Sequence, residues 1–291
     1  MERILTFEKA IQDSTRRTKR HLLLGNGFSI ACQPRIFTYG SLFEQANFSE
    51  APRLKDAFNA IGSTDFEHVI KMLEKVSHLV PVYFDEKEDV TEAANQMIED
   101  SNKLKDILIQ TIANNHPNIP NEIEDEQFWS CRRFLANFLG ETNKDGRVYT
   151  LNYDLLLYWV LMHEDIGNNE PVNLTTNDGF GRDENTDLEY VKWMGESNAR
   201  NQGVHYLHGA LHLFDDGIDL HKFTWVNTGK PLLEQVREAM NEENFRYLLL
   251  REKVIISSQR LSIMRIFIIL IKVSLNKWNY KVTVFSFLVI V

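Results

Sequence analysis

The stretch Leu22-Leu23-Leu24-Gly25-Asn26-Gly27-Phe28-Ser29 has the pattern of a buried strand that ends on a glycine turn. A strand that ends in Gly-x-Gly lets the backbone turn sharply and come close to a diphosphate, with a helix N-terminus behind it. The third glycine of the dinucleotide fingerprint is absent, because Cys32 and Gln33 occupy the place where it would fall. The motif alone therefore leaves two interpretations open: a diphosphate loop, and a tight strand-to-helix turn that binds no ligand.

A second segment, Thr150-Leu151-Asn152-Tyr153-Asp154, follows a predicted strand over residues 148–151. In open α/β sheets, ligands bind beyond the carboxyl ends of the strands, so Asn152 and Asp154 are candidate site residues. Asp154 is explained equally well as the cap of a helix that starts at Leu155. The two roles are compatible.

A third segment, His205-Tyr206-Leu207-His208-Gly209, places a histidine before a glycine at another strand end. A histidine titrates near neutral pH, so His208 is a candidate general base. A metal site built from His205, His208 and His212 is the alternative. Residues three apart on a strand face opposite sides and Gly209 disfavours a continuous helix, so we expect no metal site.

The strands alternate with helical stretches, which predicts an α/β fold with a mostly parallel sheet flanked by helices. Between the first strand and the Asn-Tyr-Asp strand, residues 41–140 have a helical pattern and are predicted to form an insertion. Within it, Asp65 is placed to cap a helix, and further helices are expected over residues 90–113 and 121–139.

The composition of the 291 residues is that of an ordinary globular protein, with 43% apolar and 25% charged residues. The net charge of −9 argues against a nucleic-acid-binding surface. Cys32 and Cys131 are the only cysteines, and no feature of the sequence suggests that they meet. Two unpaired thiols and a start without the apolar core of a signal peptide lead us to expect a cytoplasmic protein.

The last 39 residues, 253–291, contain none of the 41 Asp and Glu residues but hold six Lys and Arg. One explanation is a buried strand pair with basic flanks. The other, which we favour, is a tail that is translated out of frame or truncated. Its apolar runs, 266–271 and 282–291, are far shorter than the roughly 20 residues of a membrane helix, so we expect no membrane association. The sequence thus suggests a domain over residues 1–252 and an anomalous tail.

In sequence order, the three segments resemble the NAD-binding core of the sirtuin (SIR2-like) superfamily. The superfamily pattern is Gly-Ala-Gly-x-Ser, then Thr-x-Asn-x-Asp, then x-x-His-Gly. The resemblance covers about residues 20–244, which are more narrowly similar to a bacterial SIR2-like branch described only as a domain of unknown function. The matching residues are Gly25, Gly27, Ser29, Thr150, Asn152, Asp154, His208 and Gly209.

This resemblance implies a Rossmann-like sheet that binds NAD and no metal. It implies that the glycine-rich loop holds the diphosphate, that Asn152 lies against the nicotinamide ribose, and that Asp154 contacts the nicotinamide end. His208 would be the general base on a ribose hydroxyl or a water, so Asn152 and His208 are the implied catalytic residues. The implied NAD-binding residues are Gly25, Asn26, Gly27, Ser29, Thr150, Asp154 and Gly209.

The function that the resemblance implies is hydrolysis of NAD to nicotinamide and ADP-ribose, in bacterial defence against phage. The partners would then be NAD and a further copy of the chain or an operon-encoded defence protein. Protein deacylation is disfavoured because the zinc-binding cysteine pairs of deacylases are missing. Two alternatives remain open: a non-catalytic module that senses NAD or ADP-ribose, and an inactive truncated product.

Overall fold

The computed structural model describes thirteen stretches of the chain. The chain divides into two compact units, one of Met1–Pro34 with Pro117–Val291 and one of Arg35–His116, and each is described by itself. The described residues are 6–14, 20–33, 36–84, 88–143, 145–163, 171–181, 190–194, 202–215, 218–224, 229–241, 246–247, 270–271 and 287–290.

The unit of Met1–Pro34 and Pro117–Val291 carries every strand of the described part of the chain. Its helices are α1 (Phe7–Ser14), α2 (Asn26–Cys32), α7 (Asp125–Leu139), α8 (Leu156–Met162) and α9 (Leu232–Asn241). Its strands are β1 (His21–Leu24), β2 (Arg147–Thr150), β3 (Tyr190–Lys192), β4 (Val204–Tyr206), β5 (Leu213–Asp215), β6 (Leu220–Phe223), β7 (Arg246–Tyr247), β8 (Leu270–Ile271) and β9 (Phe287–Ile290).

Five strands form one sheet in the order β4-β2-β1-β9-β8. Strand β2 is parallel to both β1 and β4, whereas β9 runs antiparallel to β1 and β8 antiparallel to β9. Each of the three parallel strands carries a fully buried apolar residue, as expected for parallel strands, with Leu22, Val148 and Val204 all 0% exposed. The predicted α/β fold is confirmed as a small group of three parallel strands flanked by helices, but the sheet is not mostly parallel, because β9 and β8 add two antiparallel pairings to it. The Rossmann-like character stays a prediction.

A second sheet, which the sequence analysis did not predict as such, has the order β3-β6-β5-β7 and is antiparallel throughout. Each of its strands has at most four residues, which is too short to show a clear alternation of apolar and polar positions. Val191 and Leu213, which both pair with Lys222, lie on one face of this sheet and Phe223 lies on the other, and all three are buried. Its strand β3 precedes the third motif in the chain, and β5, β6 and β7 follow it.

The unit of Arg35–His116 is helical, with α3 (Tyr39–Gln45), α4 (Pro52–Ile61), α5 (Phe66–Tyr83) and α6 (Glu88–Asn115). Asp65 caps α5 as predicted, since its carboxylate accepts hydrogen bonds from Glu67 N at 2.9 Å and His68 N at 3.3 Å. The core contains a cluster of phenylalanines in which the ring centroids of Phe58 and Phe66 lie 4.9 Å apart. This compact helical unit ends at His116, before the end of the helical pattern at residue 140, and α7 belongs to the unit that carries the sheets.

Two predicted helices differ in their bounds from the observed ones. The helix expected over residues 90–113 extends over Glu88–Asn115, and the one expected over 121–139 begins only at Asp125. Before it, a 3₁₀ turn covers Pro120–Glu122 and Ile123 is extended. Proline fixes the start of that short turn, and the extended residue separates it from α7.

Of residues 253–291, the structure describes only β8 and β9. The interpretation of this stretch as an out-of-frame tail concerns residues that lie mostly outside the described ones, and it stays a prediction. In the described stretches of the chain, no helix combines the length and the apolar character that crossing a bilayer requires.

Candidate functional site

The sheet register brings the three sequence motifs to one edge. Leu24 of β1 lies opposite Thr150 of β2, which in turn lies opposite Tyr206 of β4. Just beyond the strand ends, Leu151 N donates to Leu24 O and Leu207 N donates to Thr150 O, both at 2.9 Å. The residues that follow the three strands therefore begin at the same level, at the carboxyl edge where open α/β sheets bind ligands.

Gly25 forms the turn between β1 and α2. Its backbone is extended, with φ −112° and ψ −170°, which any residue adopts. A Cβ built on Gly25 would meet no heavy atom within 4 Å among the residues described. Neither the backbone conformation nor packing against that part of the chain requires glycine, so the open space beside Gly25 fits the close approach of a diphosphate. Asn26 and Gly27 begin α2 and are also partly exposed.

Behind this turn, three side chains from two motifs form a buried hydrogen-bonded row. Asn152 Nδ2 donates to Ser29 Oγ at 2.8 Å, and the Ser29 hydroxyl donates in turn to Asp154 Oδ2. Ser29 is 0% exposed, Asp154 5% and Asn152 7%. The row joins α2 to the end of β2 and leaves Asn152 as its outermost member.

Asp154 also caps α8, because its Oδ1 accepts a hydrogen bond from Leu156 N at 2.9 Å. The predicted capping hydrogen bond is present, although the helix begins at Leu156 and Leu155 occupies its N-cap position. Burial raises the pKa of the Asp154 carboxyl, while hydrogen bonds from Ser29 and from backbone N–H groups oppose that rise. The carboxylate therefore accepts bonds at both oxygens inside the protein.

Thr150, assigned to NAD binding by the resemblance, is 0% exposed. Its Oγ1 accepts a hydrogen bond from Asn152 N at 3.0 Å. The hydroxyl thus fixes the backbone turn that follows β2 and positions Asn152.

His208 lies beyond β4 and is partly exposed. Its Nδ1 is 3.2 Å from the hydroxyl of Tyr153, and the two rings stack with centroids 5.8 Å apart. The next residue, Gly209, has φ +81°, a conformation that glycine adopts with little strain. Gly209 therefore allows the chain to turn directly after His208, while Tyr153 orients the imidazole.

The other two histidines of the metal alternative lie in the interior. His205 is 1% exposed and stacks on Tyr149 with centroids 4.8 Å apart, and burial, then the Arg147 charge, lowers its pKa to about 4. His212 is 0% exposed and its ring packs edge-on against Tyr206 at 5.2 Å. Within the described residues, no three His, Cys, Asp or Glu side chains are grouped as a metal site requires.

A second buried polar cluster, which the sequence analysis missed, lies on β4, β6 and the chain around residue 178. Lys222 Nζ is 2.6 Å from Asp178 Oδ2, and both side chains are at most 12% exposed. Burial, followed by the charge of Asp178, raises the pKa of Tyr206 well above its ordinary value and that of Tyr158 to about 12. Lys222 and Asp178 are 44 positions apart in the chain, and no local pattern marks them as partners.

Cys32 and Cys131 are in contact, although no feature of the sequence indicates it. Their sulfur atoms are 3.4 Å apart, and both thiols are buried and free. The contact joins the last turn of α2 to α7 and raises the pKa of Cys32, with burial adding to the effect. The two residues are 99 positions apart, so only the packing of α2 on α7 reveals their proximity.

Comparison with known proteins identifies the family. The model of the family described as "Domain of unknown function (DUF4917)" matches residues 22–265, and the chain belongs to this family. The match begins at β1 and includes all three motifs as well as the helical unit. Comparison with curated proteins finds no match.

Proposed function

We propose that this protein is an NAD glycohydrolase, which releases nicotinamide and ADP-ribose. The observation that supports it best is the placement of Asn152 and His208 at the carboxyl edge of adjacent parallel strands, beside the open space at Gly25. A glycine that the fold does not require, an amide and an oriented imidazole are the groups expected around the diphosphate, the ribose and the attacking water. The SIR2-like resemblance of the motifs adds the identity of the dinucleotide.

The proposed reaction cleaves the bond between the ribose and the nicotinamide of NAD. Positive charge develops on the ribose as this bond breaks. A polar site whose dipoles are already oriented lowers the barrier to such a step, because little reorganisation is needed during the reaction. The Asn152 side chain is held in one orientation by Ser29. The partly exposed backbone at Gly25 and Gly27 would hold the diphosphate, consistent with the open space found there.

His208 is the proposed general base. A neutral imidazole acts as a base through the ring nitrogen that carries no proton. With the proton on Nδ1, the Tyr153 hydroxyl is placed at 3.2 Å to accept it, and Nε2 is then the basic atom. Tyr153 is thus proposed to select the tautomer that the reaction needs.

The biological setting is proposed from the resemblance alone. SIR2-like bacterial proteins act in anti-phage defence by depleting NAD, and such a role would place this protein in the cytoplasm. It would work there with further copies of itself or with an operon-encoded partner. Protein deacylation is not proposed, because the chain has only two cysteines and deacylases of this superfamily use zinc-binding cysteine pairs.

The test is release of nicotinamide from NAD by the purified protein and by the Asn152→Ala and His208→Ala variants. We expect both substitutions to reduce the rate at least about 100-fold, which is the effect of removing a catalytic acid–base group for His208 and of removing an oriented polar group for Asn152. His163→Ala is the matched control, because His163 also stacks on an aromatic ring, that of Phe128, at 4.1 Å. Full activity in the two site variants would contradict the site assignment. Tight ADP-ribose binding without turnover would favour the sensor module.

A further inference from the structure

We infer that Asp154 is a positioning residue that acts through the Ser29 hydroxyl and determines which atom of the Asn152 amide faces the ligand. The inference rests on the proposed function only for the identity of that ligand. It differs from the role that the resemblance implies for Asp154, which is direct contact with the nicotinamide end. Asp154 is instead buried behind Ser29 and 5% exposed.

The positions of the protons along the row of three side chains determine the orientation of the Asn152 amide. An ionised carboxylate only accepts hydrogen bonds, so Asp154 receives the Leu156 N–H at Oδ1 and the Ser29 O–H at Oδ2. A serine hydroxyl has a single proton, and Ser29 donates it to Asp154. Toward Asn152, Ser29 is therefore only an acceptor, and the amide must turn its Nδ2 toward it.

The orientation of the amide fixes what Asn152 offers on its other side. With Nδ2 bonded to Ser29, Oδ1 is the remaining polar atom, and no hydrogen bond reaches it from the residues that the structure describes. The carbonyl oxygen is thus presented as an acceptor. It would bind a ligand that donates, such as a hydroxyl of the ribose diol or the attacking water, and it would discriminate against a ligand that only accepts.

Protonation of Asp154 would reverse the direction of both hydrogen bonds in the row of Asp154, Ser29 and Asn152. A proton on Oδ2 would donate to Ser29 Oγ, the Ser29 hydroxyl would then donate to Asn152, and the amide would have to turn its Oδ1 inward. The site would present N–H groups in place of an acceptor. Among the described residues, the titratable groups that interact with this carboxyl are Cys32 on α2, which is in contact with Cys131, and Tyr206 on β4. The raised pKa values of Cys32 and Tyr206 keep both groups neutral at and below neutral pH.

Asp154→Asn is the decisive variant because it fixes the reversed state without removing the helix cap. Its Oδ1 still accepts the Leu156 N–H, so its amide nitrogen takes the place of Oδ2 and donates to Ser29. Ser29→Ala is the second variant, which breaks the row but leaves the cap. Asp65→Asn is the matched control, since Asp65 also caps a helix by accepting backbone N–H groups but belongs to the helical unit.

Two measurements are made on the full chain. The first is nicotinamide release and ADP-ribose affinity from pH 4 to 9, for which we expect Asp154→Asn and Ser29→Ala to lose about 10- to 100-fold at neutral pH, the value of one well-placed hydrogen bond to a charged or reacting group. The wild-type profile falls on the acid side at a pH above the range of an exposed aspartate, whereas that of Asp154→Asn lacks this limb. Asp65→Asn stays within about twofold of wild type.

The second measurement is the nuclear magnetic resonance signal of the Asn152 side-chain amide in protein labelled with ¹⁵N-asparagine and free of ligand. We expect slow hydrogen exchange in the wild type, where Nδ2 is bonded to Ser29, and fast exchange in both site variants. Unchanged exchange in Asp154→Asn, or wild-type activity with a wild-type pH profile, would overturn the inference. A wild type that neither binds nor hydrolyses NAD would contradict the proposed function. The exchange rate of the Asn152 amide would still show whether Asp154 determines the orientation of that amide.

Discussion

Replacement of Gly25 by alanine distinguishes a requirement of the fold from a requirement of a ligand. At φ −112° and ψ −170°, alanine is accommodated without strain, and its Cβ would have no heavy atom of the described residues within 4 Å. A Gly→Ala change at a compatible site restricts the unfolded chain and raises the free energy of unfolding by about 0.4–1 kcal/mol. We therefore expect a variant that is as stable as the wild type or slightly more so.

The effect on the ligand is expected to be large. The added methyl group would occupy the space in which the diphosphate approaches the backbone, and a displacement of about 1 Å at a reacting ligand reduces the rate by about 100-fold. We expect ADP-ribose affinity to fall at least about tenfold and nicotinamide release by about 100-fold. Thermal unfolding followed by circular dichroism, and titration calorimetry with ADP-ribose, give the two quantities on the same sample.

Two other glycines supply the controls. Gly40→Ala is the same substitution with no heavy atom of the described residues within 4 Å, but in α3 of the helical unit, so it should raise stability by up to about 1 kcal/mol and leave binding unchanged. A Cβ at Gly146 would overlap the carbonyl oxygen of Phe138 and the side chain of Asn143, and Gly146→Ala should destabilise the protein by about 3 kcal/mol or more. If Gly25→Ala unfolds as readily as Gly146→Ala, or binds ADP-ribose like the wild type, the interpretation of Gly25 is refuted.

Two further predictions concern stability. Asn143 is buried and makes three hydrogen bonds of 2.8–3.0 Å to the backbone before β1 and at the end of α7, so Asn143→Ala should lower the free energy of unfolding in urea by about 3 kcal/mol. Asn137→Ala, which removes bonds only within α7, should lower it by about 1 kcal/mol, and equal losses would contradict the reasoning. His205 has a folded pKa of about 4, below the unfolded value of about 6.5, so stability should be lost as pH falls from about 6.5 to 4, by about 3 kcal/mol. His205→Phe keeps the ring that stacks on Tyr149 and removes the titration, and an unchanged pH dependence of its unfolding would refute that assignment.

The sequence predicts those parts of the structure that depend on interactions between residues close together in the chain. Asp65 and Asp154 were both identified as helix caps, because a cap and the helix that it starts are adjacent in the chain. The edge that carries the site was predicted for a similar reason, since each polar motif directly follows an apolar strand. The caps and the position of each motif at its own strand end depend on a few neighbouring residues, and the pairing of β1, β2 and β4 then brings the motifs to one edge.

The parts that the sequence did not predict depend on contacts between distant residues. The bond from Asn152 to Ser29 spans 123 positions and the sulfur contact of Cys32 with Cys131 spans 99, and both arise from how α2 packs beside β2 and α7. The antiparallel second sheet was missed because strands of two to four residues have no measurable period. Burial of Ser29, Thr150 and Asp154 likewise follows from packing, and it leaves His208 and the glycine turn as the partly exposed groups of the site, with Asn152 7% exposed at the outer end of the buried row.

The position of β1 at the centre of its sheet has a consequence for the order of folding. Leu22 pairs with Val148 on one side and with Val289 on the other, so both partner strands are synthesised long after β1. Contacts of such high sequence separation form slowly, whereas Arg35–His116 is one continuous helical segment with local contacts. During translation the helical unit is therefore expected to fold first, and the ligand-binding edge, which depends on the register of β1, forms only after β2 and β4 have left the ribosome.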